Sequence, residues 1–303
     1  MFKRVKLLES PRDVLGWAMY RLCPNLMSDR FRLEMFYLFE KRKHLNLDHP
    51  VTYNEKLQWL KIYDRNPLYT KLVDKYLVKD WVKSKIGENY VIPTIKRYAS
   101  PDQIDLDTLP NQFVLKCNHD SGSVVICKDK TLFDLDAAKE KLTKCLKTSP
   151  YQSYFEWAYR DVPRCIIAEQ FMMEEGNDDL MDYKFFCFNG KPEIMYMSRD
   201  HSREVTTDFF DMDFNHLPMR MQAPPSKVCP QKPEQFEKLK ELASCLSQDI
   251  PHVRVDFYVI NGKIYFGEMT FYHCGGMVDV QPYEWNVRLG EMIDLPEKRK
   301  TNK

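Results

Sequence analysis

Two carboxylates on consecutive strands of the sequence are the residues best suited to hold a metal ion. Asp256 lies in the apolar run 254–260, and Glu268 follows an Asn261-Gly262 turn. Neighbouring strands can bring two such carboxylates together, and oxygen ligands of this kind suit Mg²⁺. The alternative interpretation is a plain surface hairpin whose carboxylates only add solubility.

The register of this hairpin decides whether the carboxylates share a face, because side chains alternate along a strand. A two-residue turn would place Asp256 opposite Gly267 and turn Glu268 to the other face. A three-residue loop beginning at Ile260 would instead pair Arg254 with Glu268. We predict the three-residue loop, because it places one polar set on one face of the sheet. The set is Arg254, Asp256, Glu268 and Thr270.

A second kind of acidic motif offers a competing site. Three Asp-x-Asp triplets occur, at Asp105/Asp107, Asp134/Asp136 and Asp211/Asp213. The last follows two phenylalanines, a context in which some glycosyltransferases hold a metal ion and a nucleotide sugar. A turn or helix cap is the ordinary role of so short a motif.

Composition and missing motifs exclude several classes. The chain has no GxxxxGK[ST], GxGxxG, HExxH or GxSxG motif and no kinase signature set. A net charge of +1 argues against general nucleic-acid binding. Nine cysteines without a CxxC pair argue against a zinc site and a disulfide framework. Since the first residues lack an apolar segment and no stretch approaches the length of a membrane span, we expect a cytoplasmic protein with reduced thiols.

The element pattern predicts an α+β fold. Residues 11–85 have apolar residues at helical spacing, with one helix over about 68–86 that ends near Gly87. A proline-punctuated connection follows, and strands begin after Pro110. The later elements are hairpins 113–116/124–128 and 183–188/193–198, helices 135–146, 151–159 and 233–249, and a strand at 165–169.

The first 44 residues are basic, with ten Lys/Arg against five Asp/Glu. Their aromatic residues include Trp17, Tyr20, Phe31, Phe36 and Tyr37. Such a segment is suited to peripheral contact with an anionic membrane surface. A solvated helical cap on the body of the protein is the more ordinary interpretation.

Several ordered blocks of residues 48–285 resemble the ATP-grasp superfamily, and most closely its TupA-like branch of polysaccharide biosynthesis. The blocks read HPVTYNEKLQWLKIYDRNPLYTKLVDKYLVKDWV, FVLKCNHDSGSVVICKDK, CIIAEQFM, DYKFFCFNGKPE and VRVDFYVINGKIYFGEMTFYHCGG. The resemblance implies an ATP-grasp fold, in which two α+β subdomains enclose ATP. We expect a helical region over 1–110, a lid subdomain over 111–170 and a metal and phosphate subdomain over 171–295.

The resemblance also implies an ATP site. Lys116 would meet the α- and β-phosphates, and Lys184 would be a second phosphate contact near Asp182 at the ribose. A strand lysine suits this task because its ammonium has three rotatable donors. The remaining implied nucleotide contacts are His119, Ser121, Gly122 and Ser123 in a loop, and Glu169, Gln170, Phe171 and Met172 beside the adenine.

The metal and catalytic residues are carried over in the same way. Asp256 and Glu268 would bind Mg²⁺, with Thr270 at a position where many ATP-grasp enzymes have Asn. Arg254 would neutralise the transferred phosphoryl group, as would Lys184, and His273 would lie near the acceptor. A hydroxyl binds Mg²⁺ more weakly than an amide oxygen does, so a second metal is in question at Thr270.

The resemblance implies an ATP- and Mg²⁺-dependent carboxylate–amine ligase that acts through an acylphosphate. The expected partners are a carboxylated sugar or polysaccharide precursor, such as a uronic acid of a capsule or other surface glycan, and an amine or amino acid. One alternative is a glycosyltransferase that uses Asp211 and Asp213 with a nucleotide sugar. Another is a nucleotide-binding protein without catalysis, because Thr270 departs from the family pattern.

Overall fold

A computed structural model describes residues 27–173, 180–199 and 205–298. Within these ranges the chain has the predicted α+β character. The helices are α1 Asp29–Lys41, α2 Tyr53–Tyr63, α3 Pro67–Val73, α4 Val78–Ile86, α5 Leu135–Leu146, α6 Pro150–Tyr154, α7 Phe236–Ser247 and α8 Tyr283–Glu291. The strands are β1 Thr94–Tyr98, β2 Phe113–Cys117, β3 Val125–Cys127, β4 Ile166–Gln170, β5 Asp182–Phe188, β6 Lys191–Arg199, β7 Thr206–Asp211, β8 Arg220–Met221, β9 His252–Ile260, β10 Lys263–Thr270 and β11 Val280–Gln281.

The strands form two main antiparallel sheets. The small sheet has the order β1-β4-β2-β3, and the large sheet has the order β10-β9-β5-β6-β7. A separate core lies under the small sheet, where Phe113 and Leu115 pack with Leu142 of α5. The predicted hairpins β2/β3 and β5/β6 are both present. The two main sheets therefore have separate cores.

The N-terminal helices share the core of the large sheet. Tyr53 and Leu57 of α2 belong to the same buried cluster as Phe185 of β5 and Val253 of β9. Helix α2 begins at a capping box, in which the Thr52 hydroxyl accepts from the Glu55 backbone and the Glu55 carboxylate accepts from the Thr52 backbone. The helices before β1 therefore belong to the body of the protein.

The predicted boundary at residues 110 and 111 does not coincide with the small sheet. Strand β1 precedes that boundary, yet it pairs along β4, from Thr94 opposite Glu169 to Tyr98 opposite Ile166. A five-residue strand between prolines gave no strong sequence signal, because three of its residues are exposed. The small sheet thus draws one edge strand from the segment predicted as helical.

The register of the β9/β10 hairpin differs from the prediction. Ile260 pairs with Lys263 across a two-residue turn, and Asn261 and Gly262 both have positive φ, at 49° and 74°. The register then shifts between Phe266 and Glu268, so Glu268 lies opposite Asp256. The prediction of a three-residue loop was therefore wrong. A β-bulge instead brings Asp256 and Glu268 to the same face of the sheet.

The helix predicted over 68–86 is two helices, α3 and α4. Asp74 follows α3, and its carboxylate accepts hydrogen bonds from the backbones of Tyr76 at 2.8 Å and Leu77 at 3.1 Å. Such a local bond competes with helical pairing and breaks the helix. The predicted end is confirmed, since Gly87 terminates α4 with φ of 109°. The break leaves Lys75 on a non-helical segment that faces the small sheet.

The basic N-terminal segment is described from residue 27 onward, so Trp17 and Tyr20 lie outside the described residues. Tyr37 is buried, and the Phe36 ring packs against Tyr154 and Phe155. These aromatic residues of α1 therefore contact the protein body. None of the helices in the described ranges is long and apolar enough to cross a bilayer.

We predict that Gly267→Ala destabilises the protein by about 1–3 kcal/mol, the usual cost of overpacking. A Cβ at Gly267 would lie 3.1 Å from the Asp256 carbonyl oxygen and 3.2 Å from the Tyr258 ring. The matched control is Gly122→Ala, because a Cβ there has no atom of the described structure within 4 Å. Urea unfolding measures both variants. Equal free energies of unfolding for the two would contradict a tight bulge.

Candidate functional site

The acidic pair of the large sheet is held by a buried arginine. The Arg254 Nε and Nη2 atoms donate to the two Asp256 carboxylate oxygens at 2.7 and 2.6 Å, and Nη2 also donates to Glu268 Oε1 at 3.0 Å. Burial alone would lower the pKa of Arg254, but the Asp256 carboxylate raises it well above its usual range. A bidentate guanidinium of this kind fixes the carboxylates in direction as well as charge. The predicted pair therefore lies together on one face.

Lys184 joins this group from the neighbouring strand β5. It is the cross-strand partner of Asp256, and its Nζ lies 2.8 Å from Asp256 Oδ2 and 3.2 Å from Asp182 Oδ2. Burial alone would lower the pKa of Lys184, but the Asp256 carboxylate outweighs it and raises the pKa above its usual range. Lys184 is therefore a fixed ammonium beside the acidic pair. Asp182 is buried against this lysine.

Thr270 and His273 complete the strand end of the site. Thr270 Oγ1 donates to Glu268 Oε1 at 3.2 Å. His273 is buried, and its Nδ1 lies 2.7 Å from Arg254 Nη1, which donates to it. Burial, and then the Arg254 charge, lower the pKa of His273 well below its ordinary value. His273 is thus a neutral imidazole that orients the guanidinium.

The small sheet contributes a second ion cluster around Glu169. Lys116 Nζ of β2 and Lys79 Nζ of α4 each lie 2.6 Å from a different Glu169 carboxylate oxygen. Burial alone would raise the pKa of Glu169, but the two ammonium groups outweigh it and lower the pKa. Lys116 and Glu169 were predicted, whereas Lys79 was missed. Its sequence signal was weak, because a lysine in a half-exposed helix is usually a solvated residue.

Lys75 was also missed, and it links the two sheets. Its Nζ lies 3.4 Å from Glu268 Oε2 and donates to the Asp120 carbonyl oxygen at 2.6 Å. Its backbone N–H donates to the Asn118 carbonyl at 2.9 Å. The loop after β2 and Glu268 of β10 therefore lie within reach of one ammonium group.

The loop after β2 divides into an inner and an outer part. Ser123 is buried, where its hydroxyl donates to Asp120 and accepts from the Cys117 backbone at 2.7 Å. His119 is also buried, and its Nε2 lies 3.2 Å from the Thr148 carbonyl. Both side chains stabilise the loop from within. Ser121 and Gly122 are exposed at its tip, so the tip is the part of the loop free to approach a ligand.

A cavity of about 240 Å³ lies where the segment after β4 meets the β9/β10 turn. It contains three predicted residues, Gln170, Phe171 and Met172. The sequence missed its other lining residues, which are Met173, Ile260, Asn261, Lys263 and Tyr265. Apolar and aromatic walls with a few polar groups suit a planar ring system.

The described residues fit a hard cation at the acidic pair. No group of three His, Cys, Asp or Glu residues suited to a metal occurs in the described ranges. Mg²⁺ commonly takes only one or two carboxylates, because phosphate and water oxygens supply its other ligands. Asp256, Glu268 and the Thr270 hydroxyl form such an all-oxygen set. A cation there would need a phosphate ligand to complete its coordination.

The Asp211/Asp213 motif has a local role in the structure. Asp211 accepts from the Asp213 backbone at 3.0 Å and from the Asn215 backbone at 2.8 Å, and its other oxygen accepts from the Asn215 amide at 3.0 Å. Hydrogen bonds to the ionised form lower the pKa of Asp211 against the effect of burial. The geometry is that of a turn, and Asp213 is exposed.

The chain is distantly similar to several solved enzyme structures. A D-alanine–D-alanine ligase from Bacillus anthracis aligns at TM-score 0.39 and 18% identity, over 66% of this chain and 57% of that one. A Helicobacter pylori ligase of the same name gives 0.41 and 15%, over 80% and 69%. An N5-carboxyaminoimidazole synthase from Aspergillus clavatus gives 0.36 and 12%, over 66% and 44%. The chain thus spans little more than half the length of the Bacillus anthracis enzyme.

No curated protein sequence is significantly similar to the chain. Residues 55–294, however, match the profile of the TupA-like ATPgrasp family. The matched segment includes the acidic pair, both ion clusters, the loop after β2 and all the residues around the cavity. It also covers well over half of the 303 residues, so the chain belongs to the TupA-like ATP-grasp family.

Proposed function

We propose that the protein is an ATP- and Mg²⁺-dependent, ADP-forming carboxylate–amine ligase. The observation that supports this most strongly is the Lys75 contact between Glu268 and the loop after β2. Lys75 thereby joins an ammonium group to a carboxylate of the large sheet and to the loop that follows β2 of the small sheet. Phosphoryl transfer needs this combination, because positioning and charge neutralisation account for most of its catalysis.

In this proposal, ATP lies between the two sheets. Adenine occupies the cavity beside Gln170–Met172, and Lys116 and Lys79 contact the phosphates once ATP draws them from Glu169. Ser121 and Gly122 cover the phosphates from the loop tip. Such closure excludes water from the reacting groups.

The γ-phosphoryl group lies beside Lys184 and Arg254. Asp256 and Glu268, with Thr270, hold Mg²⁺, which supplies charge neutralisation for the phosphate oxygens. A carboxylate oxygen of the acceptor attacks the γ-phosphorus, the bond to ADP breaks, and an acylphosphate forms. The amine nitrogen then attacks the acyl carbon, and inorganic phosphate leaves while the amine loses a proton. Arg254, oriented by His273, stabilises the negative charge in both steps.

The acceptor is a carboxylated sugar or polysaccharide precursor, such as a uronic acid of a capsule or other surface glycan, and the nucleophile is an amine or amino acid. The family supports this choice. If the acceptor is a lipid-linked precursor, the protein would act on it in the cytoplasm and contact the membrane surface through residues 1–44. Liposome co-sedimentation that does not change on deletion of that segment would remove the membrane contact.

We predict that Lys116→Met weakens ATP binding about tenfold or more, since a charge-assisted phosphate contact is lost. Titration calorimetry with ATP and Mg²⁺ measures this. The matched control is Lys128→Met, because Lys128 lies just after β3 of the same sheet and is exposed. A preference of the native protein for a nucleotide sugar, with no heat from ATP, would instead favour the glycosyltransferase with Asp211 and Asp213.

A second prediction concerns the metal ligand. Glu268→Gln removes the charge but keeps the shape, so Mg²⁺ should no longer strengthen ATP binding. ADP formation on a panel of uronic acids with amino acids should fall at least about a hundredfold, a typical loss for one electrostatic group of a transfer site. Asp213→Asn is the control, because it changes an exposed carboxylate of the turn and should leave both measurements unchanged.

Two results would contradict these assignments. Retained ADP formation in Glu268→Gln would remove Glu268 from the metal site. Intact Mg²⁺-dependent ATP binding without turnover on any acceptor would favour a nucleotide-binding protein without catalysis.

A further inference from the structure

A row of polar side chains on α2 is buried against the segment that follows β10. Asn54, Gln58 and Lys61 occur at spacing i, i+4 and i+7, so they lie along one face of the helix. All three are at most 1% exposed. Buried polar groups are costly unless they are hydrogen-bonded. We call these three residues the helix clamp.

The helix clamp binds successive backbone carbonyls of that segment. Asn54 Nδ2 donates to the carbonyls of Gly276 and Val278, both at 2.9 Å. Gln58 Nε2 donates to Gly276 at 2.9 Å and to Gly275 at 3.2 Å. Lys61 Nζ donates to the Gly275 carbonyl at 2.7 Å. A further ammonium, that of Lys41 in α1, donates to the Met277 carbonyl at 3.2 Å, so four carbonyls in a row are bound by N-terminal helices.

The bound segment has a backbone that needs support. Cys274, Gly275 and Gly276 all have positive φ, at 50°, 62° and 65°. This conformation is unfavourable for an ordinary residue such as Cys274. A Cβ at Gly276 would lie 2.3 Å from Gln58 Nε2, so the clamp and the backbone are in direct contact. The turn is therefore held in place by contacts from outside it.

Lys61 has further contacts that make it the centre of the clamp. Its Nζ also donates to Gln58 Oε1 at 2.8 Å and to the Tyr154 carbonyl at 2.6 Å. Tyr154 ends α6, which follows the helix that covers the small sheet. One buried ammonium thus joins α2, the segment after the small-sheet helix, and the turn after β10.

The turn contains a residue of the candidate site. His273 immediately precedes Cys274, and its Nδ1 accepts from Arg254 Nη1. The direction of the imidazole depends on the backbone that follows it. Resting on the ligase function proposed above, we propose that Lys61 is a positioning residue of the phosphoryl-transfer site, because it fixes the turn that aims His273 at Arg254.

Lys61→Met tests this through two signals that need no acceptor. Loss of the ammonium leaves the Gly275 carbonyl short of a donor, so amide hydrogen exchange in a peptide covering 272–279 should become faster, on the order of tenfold. The imidazole ¹⁵N signals of His273, assigned with His273→Gln, should shift. Calorimetry should show that adenosine still binds with native affinity, because neither Lys61 nor the turn lines the nucleotide cavity.

Lys56→Met is the matched control. Lys56 lies on the same helix, and its Nζ also donates to a backbone carbonyl, that of Ile293 at 2.8 Å. It should leave the His273 signals and the exchange of 272–279 unchanged. If Lys61→Met does not fold, Lys61→Gln takes its place, since it removes the same ammonium group but keeps a polar side chain at the position.

Native His273 signals together with native exchange of 272–279, in whichever of these two variants folds, would overturn the positioning role. Equal effects of Lys56→Met and Lys61→Met would also overturn it, because they would indicate general loosening of α2. Failure of the native protein to bind ATP would contradict the proposed ligase function. The His273 and exchange signals would still support or contradict the clamp in that case.

Discussion

The site depends on the way Arg254 compensates two neighbouring carboxylates on one face of the large sheet. Asp256 is 1% exposed, and a buried carboxylate is unstable as an ion unless it is paired and hydrogen-bonded. Arg254 gives Asp256 two hydrogen bonds and Glu268 one, and Lys184 adds a second positive charge. These charge-assisted bonds hold both carboxylate groups in place before any ligand arrives. An ionised carboxylate has about four lone-pair sites, so oxygen positions remain for a metal.

The same compensation explains why the register of β9 and β10 matters more than the type of turn between them. The alternation of polar and apolar residues identified Arg254, Asp256, Glu268 and Thr270 as one face from the sequence. Alternation alone assumes equal residue counts on the two strands, so it led to the wrong loop. The only local signal for the bulge was Gly267, since a glycine inside a strand often marks one. Its tight contact with the Asp256 backbone depends on pairing that no local pattern contains.

The residues that sequence reasoning missed lie on elements that become relevant only through tertiary contacts. Lys116 and Glu169 were predicted because they lie in strand blocks with a family resemblance, whereas Lys79 lies on a helix with an ordinary surface pattern. Lys75 reaches Glu268 because Asp74 interrupts the helix. A carboxylate that accepts a hydrogen bond from the backbone N–H two residues later gives only a weak sequence signal. His119 was predicted as a nucleotide contact from its residue type. Because it is buried and hydrogen-bonds to the Thr148 carbonyl, it stabilises its loop from within.

The N-terminal helices show how a region outside the sheets takes part in the site. An apolar face on α2 would pack on the core at lower cost than a face that contains an amide pair and an ammonium, because each polar group must be desolvated. Burial lowers the pKa of Lys61 to about 7, because desolvation disfavours the charged ammonium relative to the neutral amine. These polar groups occupy positions where the neighbouring backbone has positive φ and carbonyls that need donors. A polar helix face and a left-handed turn are each unfavourable alone, and together they satisfy each other. The turn that the helix clamp fixes contacts Arg254 through His273, and Arg254 in turn binds both carboxylates of the acidic pair.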